Sequence, residues 1–446
     1  MIVRDPVHGD IHINDIEKMI LDSPEIQRLR GIKQLGTAFL IYPGATHTRF
    51  EHSLGTAFLA KKMMKMIRIN GFEINPEDYE KVVIAALIHD ATHVPYGHTF
   101  EDERKIFERH DKNEMFKQLL ARGILSDLLN ELGYKSAILD LLLKKDPTMK
   151  SKGDLWMGQV INDTICADLL DYLRRDCYYT GINKNYDDRA FSYFLVENDR
   201  LVLNFTKGRM ERSDARSEIL HLLRLRYFLT ERVYLHHAKL SSGAMISKAV
   251  ELAVREGGLT REKLYTLNDW SLLQFLKGFP TKRAETSPIR QLVERFERRE
   301  LLKRAYVLSS ASLSSRKSRV EFIKKFNYPT EERDQVEEMI IDRLQKSTKN
   351  SAINQADVII HCLSSSTLKE AEVLIKTKDG TITQLNARPY PPVDIKAVED
   401  AYEDLWRMYV FANKKYAQEV GKICEETFGR ENEYQPKKER ERKKFI

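Results

Sequence analysis

Residues 75–98, Asn-Pro-Glu-Asp-Tyr-Glu-Lys-Val-Val-Ile-Ala-Ala-Leu-Ile-His-Asp-Ala-Thr-His-Val-Pro-Tyr-Gly-His, constrain this chain more than any other stretch. Asn75 can cap a helix, Pro76 suits its first position, and Glu77 and Asp78 complement the positive helix end. Tyr79, Val82, Val83, Ala86 and Leu87 then recur at helical spacing on one face, which predicts a buried helix. The next two positions on that face are His89 and Asp90. An imidazole and a carboxylate ending a core stripe carry a heavy desolvation cost unless something binds them. A metal ion binds both in their deprotonated forms.

Alone, a His-Asp pair is more often a buried ion pair than a ligand set, but this one has company. Eight of the 12 histidines (His8, His12, His47, His52, His89, His93, His98 and His110) fall in the first 110 residues, where an even spread would place about three. The segment is therefore a candidate metal or acid–base site. His52 offers an imidazole from an earlier helical run, Phe50 to Ile67. A later run, Leu155 to Tyr179, offers Asp163, Asp168, Asp171 and Asp176, and spacing alone makes Asp163 as good a ligand as Asp168. Mixed nitrogen and oxygen ligands favour Mn, Fe, Co, Ni or Zn over Ca.

With 446 residues, 42% hydrophobic and 31% charged, the chain can build a large core and more than one domain. Val82–Ile88, the longest apolar run near the predicted helix, is far shorter than the roughly 20 residues a membrane span needs. Met1-Ile-Val-Arg-Asp-Pro6 lacks a basic stretch followed by an apolar run, so no secretion signal is expected. Cys166, Cys177, Cys362 and Cys424 are scattered and read as reduced thiols of a cytoplasmic protein. Of the formal charge of +7, much sits in residues 437–444, with six bases and two acids. That end reads as a disordered, solvated tail, and with no interleaved aromatics it supports at most a weak nucleic-acid contact.

The expected fold class is mainly α: a helical core over 1–275, a smaller α+β region over 276–430 that makes oligomer or regulatory contacts, and the tail 431–446. Residues 101–150 and Leu155–Tyr179 read as helical, and Ser213 to about Val254 as one long helix or two. Phe191–Phe205 reads as a hairpin turning at Glu197-Asn198-Asp199, and Val373–Gln384 as another turning at Asp379-Gly380. Ser309–Ser318 reads as a loop and Asp357–Cys362 as a strand. Pro389–Pro392 should break the chain before a final helix, Ala397–Phe428.

Six motifs occur in one order: Asp5-Pro-Val-His-Gly, Gln27-Arg-Leu-Arg, Ile32-Lys-Gln-Leu-Gly, Phe50-Glu-His-Ser-Leu-Gly, the His89-Asp90 segment to His98, and Asp168-Leu-Leu-Asp-Tyr-Leu-Arg-Arg-Asp176. Together they resemble the HD-domain phosphohydrolases, specifically the deoxynucleoside-triphosphate triphosphohydrolases. These include bacterial dGTPase-like enzymes and a vertebrate enzyme with an added SAM domain, for which the residues before Asp5 are too few here. The resemblance runs from about Arg4 to Ser247 and more loosely near 357–385. It implies a helical HD core that hydrolyses a dNTP at the α-phosphorus to deoxynucleoside and triphosphate. It also implies a transition metal at the HD site, Mg²⁺ with the substrate phosphates, and a homo-oligomer, dimer or tetramer.

Carried over by residue, the metal ligands implied are His52, His89, Asp90 and Asp168, the resemblance choosing Asp168 over Asp163. His98 and Glu101 match the His/acid pair beside the scissile phosphate, their i, i+3 spacing placing both on one helical face. His93 and His110 match further phosphate-facing histidines, and Arg49 an arginine on the triphosphate. Gln34, Leu35, Tyr172, Asp176 and Tyr234 match the nucleoside pocket, which Arg226 and His236 extend. Asp22, Gln27 and Arg30 match a guanine-nucleotide activator site, although Asp22 reads equally well as a helix cap. Leu169 and Ala91-Thr92 depart from the family pattern. His8, His12, His47 and His361 read as structural or surface histidines. The rival functions are a nuclease, a nucleotide phosphodiesterase, or a nucleotide-sensing or nucleic-acid-binding module. The intact ligand set argues against pure binding.

Overall fold

Side-chain caps written in the sequence start the helices that carry the site. The computed structural model describes residues 1–102, 104–109, 113–143, 155–208, 210–280, 287–313, 315–328, 330–364, 373–387 and 393–434. The chain opens with an antiparallel hairpin, β1 (Ile2–Asp5) and β2 (Gly9–His12). A capping box of Asn14 and Glu17 starts α1 (Asp15–Leu21), and Pro24 opens α2 (Pro24–Gln27). A second box, Thr48 with Glu51, starts α3 (Arg49–Ile69), and the Asn75 side chain caps α4 (Pro76–Ile88) as expected. Val82 to Ile88 are all buried, and α3 packs against α4.

The helical reading of 101–150 does not hold. Residues 101–109 that are described form turns, followed by short helices α5 (Asn113–Leu119), α6 (Ile124–Glu131) and α7 (Lys135–Leu142). The run expected over Leu155–Tyr179 is also two helices, α8 (Leu155–Ile161) and α9 (Ala167–Thr180). The Asp163 carboxylate accepts from the Gln159 side chain and the Thr164 amide, and Cys166 is extended, which breaks the helix between them. Asp168 therefore sits in the first turn of α9, which packs against α3.

The hairpin expected over Phe191–Phe205 is β3 (Phe194–Glu197) with β4 (Arg200–Asn204), and Asn198 and Asp199 supply the left-handed turn. A two-residue pair, β5 (Thr206–Lys207) and β6 (Met210–Glu211), leads to α10 (Ser213–Leu229). A π turn over Thr230–Tyr234 separates it from α11 (His237–Arg255), so the Ser213–Val254 run is two helices. Then come α12 (Arg261–Leu264), α13 (Asp269–Lys277), α14 (Pro288–Glu297), β7 (Lys303–Ser309), α15 (Arg316–Phe326) and α16 (Glu331–Thr348). Ser315 caps α15, which takes Arg316–Ser318 out of the expected loop. β8 (Val358–Cys362), β9 (Leu374–Lys376), β10 (Ile382–Gln384), α17 (Val393–Glu403), β11 (Arg407–Ala412) and α18 (Ala417–Phe428) follow. The Pro389–Pro392 break lies outside the described residues.

The single final helix expected over Ala397–Phe428 is wrong. Met408 to Ala412 are buried and form the middle strand of an antiparallel sheet ordered β7–β11–β8. A strand buried on both faces has no alternation to betray it.

The side chains form two apolar cores. One lies among α1–α10 and includes Val373, Ile375 and Leu385, because β9 pairs in parallel with β4 in a sheet ordered β10–β9–β4–β3. The other lies around α11, α14, α16, α18 and the β7–β11–β8 sheet, and it takes in Val94, Tyr96 and Phe100 from the loop after Asp90. No helix among the described residues is long and apolar enough to cross a membrane, and all four cysteines are buried free thiols.

Buried charges join that loop to the second core. Arg104 meets Glu251 at 2.7 Å and Glu337 at 3.2 Å and donates to the Ile360 carbonyl, while Lys248 meets Glu337 and Arg333 meets Glu251, each at 2.6 Å. Burial opposes the charge on both glutamates, but Lys248, Arg104 and Arg333 outweigh it and hold their pKa values below the ordinary range. A depressed carboxylate contributes stability above its unfolded pKa, about 4.3 for glutamate, and loses it as pH falls. We expect Glu337→Gln to cost about 3–5 kcal/mol, as breaking a buried pair does, and to flatten the acid limb of stability. Melting curves at stepped pH check both effects.

Candidate metal centre and active site

His52 lies one turn into α3, and His89 and Asp90 follow the last turn of α4. Asp168 comes from the start of α9. These four side chains converge. His52 Nε2 is 3.3 Å from His89 Nε2, 3.0 Å from Asp168 Oδ1 and 3.8 Å from Asp90 Oδ2. His89 Nε2 is 3.6 Å from Asp90 Oδ1 and 3.9 Å from Asp168 Oδ1.

Each imidazole is oriented from behind. His52 Nδ1 is 2.7 Å from Asp171 Oδ2, and His89 Nδ1 is 2.7 Å from the Ala86 carbonyl. Both acceptors favour a proton on Nδ1, which turns both Nε2 lone pairs toward the same point. Two lone pairs and two carboxylates facing one another need a cation between them, so the donor set fits a divalent transition metal. Burial lowers the His52 pKa, but Asp168, Asp171 and Asp90 overrule it and lift it to about 10. A bound metal takes the place of that proton. Burial also works against the Asp90 charge, yet Arg49 with His89 and His93 holds its carboxyl well below the usual range.

Asp171 is the residue that sequence reasoning left unassigned. Its Oδ1 meets His8 Nε2 at 2.6 Å and Arg175 at 2.9 Å, while Oδ2 meets His52 Nδ1 at 2.7 Å and the Arg175 Nε at 2.8 Å. Arg175 also reaches Asp5 at 2.8 Å. Asp171, Arg175 and Asp5 are all buried. Gly55 of α3 makes room, since a Cβ there would fall 1.9 Å from Asp171 Oδ1. The signal was available, because Asp171 is one helical turn from Asp168 and Asp5 and His8 open the first motif.

Asp163, tied into the turn before α9, does not join the metal group; Asp168 does. His93 Nε2 is 3.2 Å from Asp90 Oδ1, and its ring meets His98 edge-on at 4.8 Å. His98 is 43% exposed, with Nδ1 3.5 Å from Glu101 and 3.4 Å from Asp102. A 3-10 turn, Gly97–Thr99, brings His98 and Glu101 together where an α-helical face was expected. His93, His98 and Glu101 offer atoms within 4.8 Å of one another. His110 and residues 435–446 lie outside the described residues, whereas 431–434, expected in the disordered tail, are held against β7, the Val307 amide donating to Asn432 Oδ1 and the Ser309 amide to Glu433 Oε1.

Arg49 donates to Asp90 Oδ2 at 2.7 Å and lies against Gly97, where a Cβ would come within 2.6 Å of its guanidinium. Asp176 Oδ2 accepts from the Tyr234 hydroxyl at 2.7 Å, and its Oδ1 is 2.8 Å from His47 Nε2. Tyr234 meets Tyr172 edge-on at 6.5 Å, and the buried Arg226 lies close enough to lower the Tyr172 pKa against the rise that burial imposes. The Gln34 backbone N–H donates to the His47 carbonyl, and Leu35 is buried beside it. His236 caps α11 through Nδ1 and stacks on His237. Asp22 pairs with Lys18, Gln27 reaches the Leu21 carbonyl, and Arg30 donates to Gln27 while lying 3.6 Å over Phe50.

Two family signatures fall on this geometry. The HD domain matches residues 49–176, which hold all four converging side chains, and the HD associated region matches 219–439. The chain belongs to the HD-domain phosphohydrolase family. An uncharacterised protein of Methanocaldococcus jannaschii is 30% identical, over 70% of this chain and 61% of its own length. The deoxynucleoside triphosphate triphosphohydrolase SAMHD1 of Gallus gallus is 28% identical over 68% of this chain and 55% of its own. This HD-domain chain thus spans less than two thirds of either relative. A crystal structure of a phosphohydrolase from Bacteroides thetaiotaomicron shares the fold, with a TM-score of 0.69 over 93% of this chain and 100% of that one at 23% identity.

Proposed function

We propose that the chain hydrolyses deoxynucleoside triphosphates at the α-phosphorus, releasing a deoxynucleoside and inorganic triphosphate. The observation that carries this reading is the convergence of His52, His89, Asp90 and Asp168, with Asp176, hydrogen-bonded to Tyr234, further along the same helix as Asp168. The similarity to SAMHD1 points the same way. When bound, a Mn, Fe, Co, Ni or Zn ion supplies Lewis-acid polarisation of a phosphate oxygen and makes water more acidic. His52, His89, Asp90 and Asp168 would hold it, and Asp171 and Ala86 keep the imidazoles aimed.

Water adds to the α-phosphorus as the bond to the 5′-oxygen breaks. Arg49, whose buried Nε has no hydrogen-bond partner among the described residues, offsets charge on the triphosphate, alongside Mg²⁺ carried by the substrate. His98, with Glu101 and Asp102 near Nδ1, donates its proton to the departing 5′-oxygen. Asp176 receives the sugar 3′-hydroxyl. Leu35 and the Tyr234 ring crowd the 2′ position, and an apolar wall rejects an added hydroxyl by roughly 10²-fold. The working form is a cytoplasmic homo-oligomer.

Chromatography of products from a dNTP and rNTP panel with Mg²⁺ or Mn²⁺ tests this. Deoxynucleoside plus triphosphate is the expected outcome. Nucleotide products, or equal use of dGTP and GTP, would promote the nuclease or phosphodiesterase reading. His98→Ala should keep metal and nucleotide binding while turnover falls about 10²–10⁴-fold. A raised KM with unchanged kcat would place His98 in binding instead.

A further inference from the structure

The loop that carries His93 and His98 belongs to the HD match, but its apolar side chains are buried in the other core. A polar tie crosses the same way. Asp269, the first residue of α13, is fully buried. Its Oδ1 accepts the Tyr96 amide at 2.7 Å, and its Oδ2 accepts the Lys33 amide at 3.0 Å, with Lys33 Nζ 3.6 Å away. Tyr96 is two residues before His98, and Lys33 is next to Gln34.

The backbone at these contacts is unusual. Tyr96 adopts φ +59, Gly97 +57 and Gly36 +54. A non-glycine residue held left-handed carries a conformational cost, so something must hold it. Gly36 lies directly on the same turn, a Cβ there falling 3.0 Å from the Tyr96 carbonyl. One carboxylate thus fastens two touching loops. Helix capping does not explain it, because the Asn268 side chain already caps α13 at Trp270 and Ser271. Arg28 braces the loop from the other side, donating to the Ala91 and His93 carbonyls at 3.1 and 2.6 Å.

We propose that Asp269 is a positioning residue that sets the register between the loop bearing His98 and the loop bearing Gln34 and Leu35. Asp269, which lies in the HD-associated region, then acts in the reaction without itself touching substrate. The inference rests on the phosphohydrolase reading above for its catalytic consequence, but not for the geometry it asserts.

In Asp269→Asn one amide keeps an oxygen acceptor while the other faces an NH₂ group that cannot accept. We expect kcat to fall on the order of 10²-fold, the scale of a small misplacement of reacting groups. Metal content and KM should change little, and hydrogen exchange should quicken at the Lys33 and Tyr96 amides. Asn268→Ala, which removes only the cap, should lower the melting temperature and leave kcat per folded chain unchanged. Asp269→Glu, which keeps the charge, should fold and show the same exchange signature more weakly if Asp269→Asn does not fold. Unchanged exchange at both amides in the Asp269 variants, or wild-type kcat in a folded, metal-loaded Asp269→Asn chain, overturns the proposal. If the wild-type chain hydrolyses no nucleotide, the phosphohydrolase reading fails separately and the exchange measurement alone decides the positioning role.

Discussion

Asp90→Ala is expected to abolish turnover and to lower metal content in the same preparation. The carboxylate is one of the four converging groups proposed as ligands, and the remaining two imidazoles and Asp168 would leave a weaker, less charged set. A second effect follows from its other partner. Arg49 is buried and donates to Asp90, so the variant strands a guanidinium in the interior. Breaking a buried pair from one side costs about 3–5 kcal/mol, so the fold will lose stability even though α4 is well capped. Arg49→Met combined with Asp90→Ala should recover much of the melting temperature and none of the activity. Elemental analysis, product assays and thermal melts on the three proteins separate the two effects. Full metal and full activity in Asp90→Ala would refute the ligand assignment.

The next largest effect is expected at Asp171, which touches no substrate in this reading. Asp171→Ala should weaken metal affinity about 10–100-fold, the usual consequence of removing the group that orients a ligating histidine. It also removes the charge that, after burial is accounted for, Arg175 chiefly balances. Asp5 remains as that guanidinium's other carboxylate, which softens the stability loss relative to Asp90→Ala. Gly55→Ala makes an independent check without altering any polar group. Its methyl would collide with Asp171 and Arg175, so metal affinity should fall in this variant too. Metal titrations by calorimetry read both. Unchanged affinity in the two variants would remove Asp171 from the support of His52.

The sequence was legible where local chemistry decides local structure. The Asn75 cap and the apolar face up to Leu87 specify α4 and bring His89 and Asp90 to its end. Apolar spacing alone placed His52 near the start of a helical run from Phe50, and the structure starts that helix at Arg49 with a Thr48–Glu51 capping box that the sequence reading did not use. What escaped was long-range. Asp171 looks like any acid on an amphipathic helix until His8, from the first ten residues, is seen to pack against it. β11 was taken as helix because a strand paired along both edges by β7 and β8 and buried on both faces has no alternating pattern. His361, read as structural or surface, is fully buried in β8, where burial and then Arg104 push its pKa down to about 3 and keep it neutral. The break before α9 hung on the Asp163 side chain closing a turn, a contact that outweighed helix propensity across 162–166.

The parallel pairing of β4 with β9 joins Leu203 to Ile375 and Asn204 to Lys376. For a chain emerging from the ribosome, the first core is therefore unfinished until most of the protein has been made. Closing so long a loop adds little to the equilibrium cost, about 0.6 kcal/mol for each doubling of length, but it delays the contact in time. During that interval β4 presents an open edge, the kind of surface on which nascent chains stick to one another. Fragments ending before residue 374 will keep that edge permanently. The half that carries the converging His and Asp groups is thus continuous in those residues and discontinuous in its folding, and its yield in a cell depends on residues translated long after Asp168.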